Sequence, residues 1–548
     1  MLAQNETLSI GKLLGPMNVK YIIFREDVVS PSFPNMLSSL MMQNDLMLKF
    51  KKEPLYVFEN KNYLPIIRSV SNSIIVADAT KGLLKMSYLT ENFSDTSYNY
   101  LEYLGVFNEN IEQHLQETNA IFYSLHNQPD LLLATTPQNN RYDTYPYANS
   151  FSEANYFDWV QTIFEKEAKG SLYYGEGTAS TYSGTAQLNI PITITNTEKY
   201  DIWIRIFGGL ELYEITIDNN PIKPISTTTH PGFNWIQYTS TNIQEKEHTL
   251  TITAKLESYL HIVDEIIITP TKDAQQKINE LNNLLTQKTL FIYIEAEELQ
   301  QYQETHDINS TLLSQKRGIL LNGSADTTGN QKLIIPNNDK YILGIRGRST
   351  NSESSTTITL INNTNKIIIP ISINYTLNWY YSTPITLEKD QYLLQINGTN
   401  TEIDSLILFR ESDKTYWNKN TQKPIQYNIN TPTNIQIQTI PETPQTIVYS
   451  FSFDQYWKAT VNNNQEPPYI CDSFSICTKI TQSSQLTTIQ LNYDLQTSSN
   501  TGTTITLLTI IALMSIYILR YIPKNTKEQL HNFLNRQQQI RNLRKKIS

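Results

Sequence analysis

The chain has 548 residues, too many for one hydrophobic core, which stops growing at roughly 250 residues, so several domains are expected. Apolar residues make up 39% and charged residues 17%, and 34 Tyr accompany abundant Asn, Thr, Gln and Ile, a vocabulary of strands and turns. The net charge of −9, with seven Lys or Arg against one Glu from Lys524 to Ser548 and the rest of the chain therefore more acidic than the total, excludes the basic footprint of a nucleic-acid-binding protein.

The spacing of apolar residues predicts a mainly β chain, with tandem β-sandwiches of jelly-roll type, a small N-terminal α/β unit, a final β domain and one C-terminal transmembrane helix. In the α/β region, residues 1–150, MNVKYIIF (17–24) reads as a strand, and LYVFENKNYLPII (55–67) as a strand pair broken by Asn-rich turn chemistry. IIVAD, AIFYS and LLLAT follow as further strands, with KGLLKMSYL as a helical turn. Asp78, at the end of IIVAD, is an acidic residue at a strand end with nothing beside it in sequence to make an active site.

Residues 151–272 and 288–413 are copies of each other. EKYDIWIRIFG aligns with DKYILGIRGRS, matching Tyr200 with Tyr341 and Arg205 with Arg346; Trp235 matches Trp379, and Asp264 matches Asp404. Four matches in one order at offsets of 140 to 144 residues mark a tandem duplication. A unit of ~120 residues with about eight short strands reads as a sandwich or jelly roll. The linker 273–287 places Ile278, Leu281, Leu284 and Leu285 at helical spacing. Residues 414–444, rich in Pro and Asn, read as a connector, and 445–500 as a membrane-proximal β domain.

Within that last domain Cys471 and Cys477 have five residues between them, in a stretch able to fold back as a hairpin. A small disulfide loop outside a cell and two free or buried thiols both remain open. Seven Asn-x-Ser/Thr sequons (Asn5, Asn92, Asn309, Asn322, Asn362, Asn374 and Asn397) are no more than this composition produces by chance.

Residues 503–522, TTITLLTIIALMSIYILRYI, match the roughly 20 residues that cross a hydrocarbon core. The preceding flank has no positive charge. The tail 523–548 carries Lys524, Lys527, Arg536, Arg541, Arg544, Lys545 and Lys546 against Glu528 alone. The positive-inside rule then places the tail in the cytoplasm and the bulk outside, as a single-pass protein of the cell membrane in contact with its lipid. The first residues show no charged-then-apolar leader. Either the domains stay cytoplasmic on a tail anchor or the chain is the C-terminal part of a longer polytopic protein, and the second is favoured.

No phosphate-cradling glycine loop, G-x-S-x-G or H-E-x-x-H occurs, and the seven His lack ligand spacing, so no residue is assigned a catalytic role. Each copy opens on an E-x-E strand, Glu165 and Glu167 in the first and Glu295 and Glu297 in the second, and closes on the strand bearing Asp264 or Asp404. First and last strands of a jelly roll lie side by side, so these carboxylates form a candidate structural Ca²⁺ set, or else face water at a sheet edge. No other cofactor is required. Exposed aromatic faces suit pyranose rings, which makes Trp235, Trp379, Tyr380 and Tyr381 candidates for sugar binding, although Trp235 and Trp379 also read as core.

With IEAEEL, KYILGIRG, LNW and EIDSLILF, the second copy resembles the jelly-roll carbohydrate-binding modules. That resemblance implies a structural Ca²⁺ on Glu295, Glu297 and Asp404; the first copy departs from it with EKE in place of EAE. GPMNVKYIIF (15–24), LYVFENKNYLPII (55–67) and VYSFSFDQYWKATVNN (448–463) resemble, in order, the extracytoplasmic region of YfhO-like and arabinofuranosyltransferase-like membrane glycosyltransferases. It implies an accessory, glycan-binding region of a surface-glycan assembly protein, partnered by glycan and a polytopic glycosyltransferase. The catalytic acid of that family lies in a loop between membrane helices that this sequence does not contain. The rival expectation is a structural envelope protein whose sandwiches are spacers without a ligand.

Overall fold

The computed structural model describes residues 7–28, 35–77, 79–89, 95–101, 114–116, 118–124, 140–148, 160–162, 178–225, 233–296, 299–301, 305–309, 317–321, 323–327, 333–350, 354–363, 365–418, 425–472, 474–521 and 524–547. It is mainly β, with several sheets and few helices. Two compact units divide it: residues 1–425, 440–453 and 469–485 form one, and 426–439, 454–468 and 486–548 the other.

The first copy is a sandwich. One sheet runs Phe233–Ile243, Glu198–Phe207, His261–Pro270, Thr178–Thr181, Val160–Thr162, with Arg141–Asp143 also on His261–Pro270. The other runs Gln187–Ile194, Lys246–Ala254, Tyr213–Ile217, Asn220–Pro221. Strict alternation in QLNIPITI turns Leu188, Ile190, Ile192 and Ile194 inward and leaves the residues between them in water. These pack with Ile202, Ile204, Ile206, Leu250 and Ile252 into one core, each buried aliphatic contributing about 1.5–3 kcal/mol relative to exposure. The linker is the helix Thr271–Gln287, with Leu285 buried.

The second copy does not stand alone. Its opening strand, Thr289–Glu295, pairs antiparallel with Thr401–Arg410 on one side and parallel with Ala120–Ser124 on the other. Ala120–Ser124 pairs in turn with Asn72–Ala77, and that with Thr96–Tyr100, all parallel. The N-terminal α/β unit and the second sandwich therefore share one ten-stranded sheet. One face of this sheet, with Ile75, Ile121, Leu290, Ile292, Leu343 and Leu408, packs against Ile358, Leu360, Leu394 and Ile396 of the sandwich's second sheet. The opposite face, with Val76, Phe122, Phe291, Tyr293, Ile407 and Phe409, is sealed by Leu83, Leu84 and Met86 of the helix Ala79–Ser87. Burial on both faces is why LFIYI and LILF read as unbroken apolar runs rather than alternating ones. Of the sequence-predicted strands, LLLAT lies outside the described residues, as does Asp78.

Ile67–Val70 joins Gln445–Tyr449, which continues to Ser475–Ile480 and Tyr469–Cys471. A disulfide joins Cys471 to Cys477 across this last hairpin. It frames Asp472, whose φ of 49° lies in the left-handed region that Asp tolerates at turns. The Asp472 carboxylate accepts from Arg68 and, at 3.0 Å, from the Tyr98 backbone N–H, while Arg68 also donates to the Thr96 carbonyl at 3.3 Å. Both side chains are sealed from water, so segments 404 residues apart are held by a desolvated ion pair.

In the second unit, Gln426–Thr431, Asn434–Thr439, Thr487–Tyr493, Trp457–Val461 and Asn464–Glu466 form one sheet. The stretch expected as a connector thus supplies two strands, with Ile435 and Ile437 turned into the core from between polar neighbours. The helices Leu495–Tyr521 and Lys524–Ile547 follow. Among the described residues no helix is long and apolar enough to cross a membrane; Ile522, the last residue of the expected span, lies outside them. In Leu495–Tyr521, Ile505, Leu507, Leu508, Ile510, Ile511, Leu513, Met514 and Tyr517 are all exposed.

Arg68→Met strands the buried Asp472 carboxylate without its cation and lowers the stability of the first unit by about 3–5 kcal/mol, read as a drop in the urea midpoint; adding Asp472→Asn recovers part of the loss. His261 is fully buried with Tyr213 edge-on at 5.5 Å, and burial lowers its pKa. The native imidazole stays neutral while the unfolded one protonates near pH ~6.5, so stability falls as pH drops below that point and is unaffected above it. Melting curves of wild type and His261→Phe across this window should show the slope only in wild type.

Candidate functional site

The duplication conserves a row of three side chains across three neighbouring strands. Arg205 lies directly opposite Trp235, and Arg346 opposite Trp379, so each pair shares a face of its sheet. On the other side of each Arg the closing strand bulges: the register jumps between Ile204 and Ile206 in one copy and between Arg346 and Gly347 in the other. An extra residue on one strand re-aims a side chain, and here it sets Asp264 against Arg205 and Asp404 against Arg346. Both carboxylates are wholly buried. A guanidinium is suited to such a site because it remains charged and hydrogen-bonds a carboxylate directionally.

The second copy builds further on the row. Glu295, on the strand next to Asp404, is buried, and Lys85 of the helix Ala79–Ser87 reaches its carboxylate at 3.7 Å. The same ammonium sits 5.5 Å above the Tyr293 ring, and the Arg346 guanidinium lies 4.3 Å above the Tyr88 ring. Trp379 donates its indole N–H to the Tyr88 carbonyl at 2.8 Å and meets Tyr293 edge-on. Two cations and two carboxylates thus lie among aromatic faces, where desolvation strengthens cation–π attraction. Burial, reinforced by the neighbouring Glu295 and Asp404 charges, raises the Tyr293 phenol well above its usual range.

The carboxylates expected to form a calcium set are placed as follows. Glu295 and Asp404 lie on paired strands, Glu295 opposite Ser405, and each faces a basic side chain. Asp264 faces Arg205. Glu165, Glu167 and Glu297 lie outside the described residues. Among the described residues, no group of three or more His, Cys, Asp or Glu is arranged to hold a metal ion. Sequence reasoning assigned no role to Arg205 and Arg346, although their alignment between the copies was the signal for it; Lys85 and Tyr88 carried no such signal.

The aromatic candidates divide by strand alternation. Trp379 and Tyr381 share one face of Asn378–Tyr381, their rings nearly parallel at 15° with centroids 6.2 Å apart. Tyr381 lies across Gly344, where a Cβ would come within 2.8 Å of the ring, and is 47% exposed. Trp379 packs on the aromatic core beneath it. Tyr380 points the other way, packs at the rim of the sandwich core and donates its hydroxyl to the Thr376 carbonyl at 2.7 Å. Trp235 is half-buried. Tyr381 is therefore the candidate ring that offers most surface to a ligand.

Gly344→Ala should lift Tyr381 off the sheet and break its stacking on Trp379. A weakened near-UV dichroism signal and a stability loss of about 1–3 kcal/mol are expected.

No family model matches the chain, and no curated protein matches it. Among solved structures it is similar to the arabinofuranosyltransferase AftD from Mycobacteria, at 9% identity and a TM-score of 0.43, over 95% of this chain and 60% of that one. The chain thus spans about 60% of that protein's length. It is also similar to the C-terminal CBM6 of LamC from Zobellia galactanivorans, at 14% identity and a TM-score of 0.18, over 22% of this chain and 99% of the module. A third similarity is to the carbohydrate-binding module CBM6cm-2 of Cellvibrio mixtus lichenase 5A, solved with cellotriose, at 16% identity and a TM-score of 0.19, over 22% of this chain and 95% of the module.

Proposed function

We propose that this chain is the glycan-binding, extracytoplasmic part of a membrane-attached surface-glycan assembly protein, holding a glycan while a glycosyltransferase acts on it. The observation that carries the reading is the Tyr381 ring, stacked on Trp379 and half in water on a rigid strand. An aromatic ring exposed in this way suits the apolar face of a pyranose, and the strand and the Trp379 ring hold it with little ordering cost on binding. The Cys471–Cys477 disulfide supports an oxidising, extracytoplasmic setting. The run of exposed apolar side chains from Ile505 to Tyr517, followed by a basic tail, supports attachment through the helix Leu495–Tyr521 with the tail in the cytoplasm.

A second reading, a ligand-free spacer, is favoured by the indole N–H of Trp379 being spent on the Tyr88 carbonyl. Presenting the full detergent-solubilised chain to a glycan array separates the two. Specific retention that falls about tenfold on Tyr381→Ala, a loss of one exposed aromatic contact, is expected; no retention of any glycan leaves the spacer. Attachment is tested separately: alkaline carbonate should leave the intact chain in the membrane pellet and release the Ile511→Arg, Met514→Arg variant, since each charge costs about 2.5–3.5 kcal/mol mid-bilayer.

A further inference from the structure

We propose that the helix Lys524–Ile547 is an interfacial helix that lies along an anionic membrane surface. This rests on the membrane attachment proposed above and adds to it the lipid chemistry that the tail selects. The helix is 24 residues long. At 3.6 residues per turn, Leu530, Phe533, Leu534, Ile540, Leu543 and Ile547 fall on one side, and His531, Asn535 and Asn542 on the other. Phe533, Leu534 and Ile540 are exposed at 58%, 56% and 46%, so these three apolar side chains stand in water.

Charge chooses the occupant. Seven Lys or Arg oppose the single Glu528 along this helix, and Arg536, Arg541 and Arg544 fall by spacing along the apolar side. Arginines in that position run their aliphatic stems along the hydrocarbon and raise their guanidinium groups to lipid phosphates. A helix with an apolar stripe and a strongly cationic remainder binds in the plane of an anionic interface, with each basic residue near the surface worth about fivefold in partition. The apolar helix Leu495–Tyr521 ends three residues before Lys524, which would keep the tail at the surface.

The test places an environment-sensitive fluorophore on Phe533→Cys or Asn535→Cys of the full chain, whose own cysteines are bonded to each other, in vesicles of phosphatidylcholine with or without phosphatidylglycerol. With phosphatidylglycerol, the Phe533 label should shift to the blue and lose iodide quenching several-fold while the Asn535 label stays wet; each Arg→Gln change at 536, 541 or 544 should weaken the tail's partition about fivefold. A chain that enters both vesicles with the Phe533 label equally quenched in each overturns the tail proposal and leaves the anchor. One that enters neutral vesicles poorly yet shields Phe533 on anionic ones removes the anchor and keeps the tail. Shielding that ignores lipid charge and grows with protein density assigns the stripe to a second copy of the chain and overturns the proposal.

Discussion

The strand Thr289–Glu295 is hydrogen-bonded along both edges and has apolar side chains buried on both faces. Each of those conditions removes a freedom: paired edges fix its register, and two buried faces forbid a one-residue slip, which would exchange one core for the other. The helix Ala79–Ser87, the parallel strands behind it and the second sandwich are all positioned by that strand. The Trp379 and Tyr381 rings sit three strands away, on Asn378–Tyr381, and inherit their rigidity from the same sheet.

Arginine and aspartate side chains pair at matching places in both copies, with both aspartates buried, an arrangement that contributes little net stability compared with apolar replacements. In each copy the pair marks the place where the closing strand bulges and its carboxylate meets the guanidinium. In the second copy Lys85 of the helix Ala79–Ser87 and Tyr88, just after it, have joined that face, so a duplicated feature has become a joint between two regions.

Much of this was legible in the amino-acid order and part was not. The duplication was readable because Tyr200, Arg205, Trp235 and Asp264 recur at a nearly fixed offset, and the inward faces were readable where polar and apolar residues alternate, as in Gln187–Ile194. The fused sheet was hidden because parallel pairing between residues 120–124 and 289–293 leaves only two short apolar runs, which look the same in a separate domain. Polar Asn, Gln and Thr around Ile435 and Ile437 disguised two strands as a connector. Glu295 and Asp404 lie on neighbouring strands, but their basic partners come from a helix some 200 residues away and from the adjacent strand, a long-range placement that local spacing does not encode.

The pairing of Ile67–Val70 with Gln445–Tyr449 has a bearing on biosynthesis. An early segment is left with an open edge until residues near position 480 have left the ribosome, so the first unit closes late, with the duplicated sandwiches already made. Excision of residues 288–413 as a portable module would bare the Ala120–Ser124 edge of its opening strand together with Phe291, Tyr293 and Phe409, and such a fragment would seek new partners through that edge.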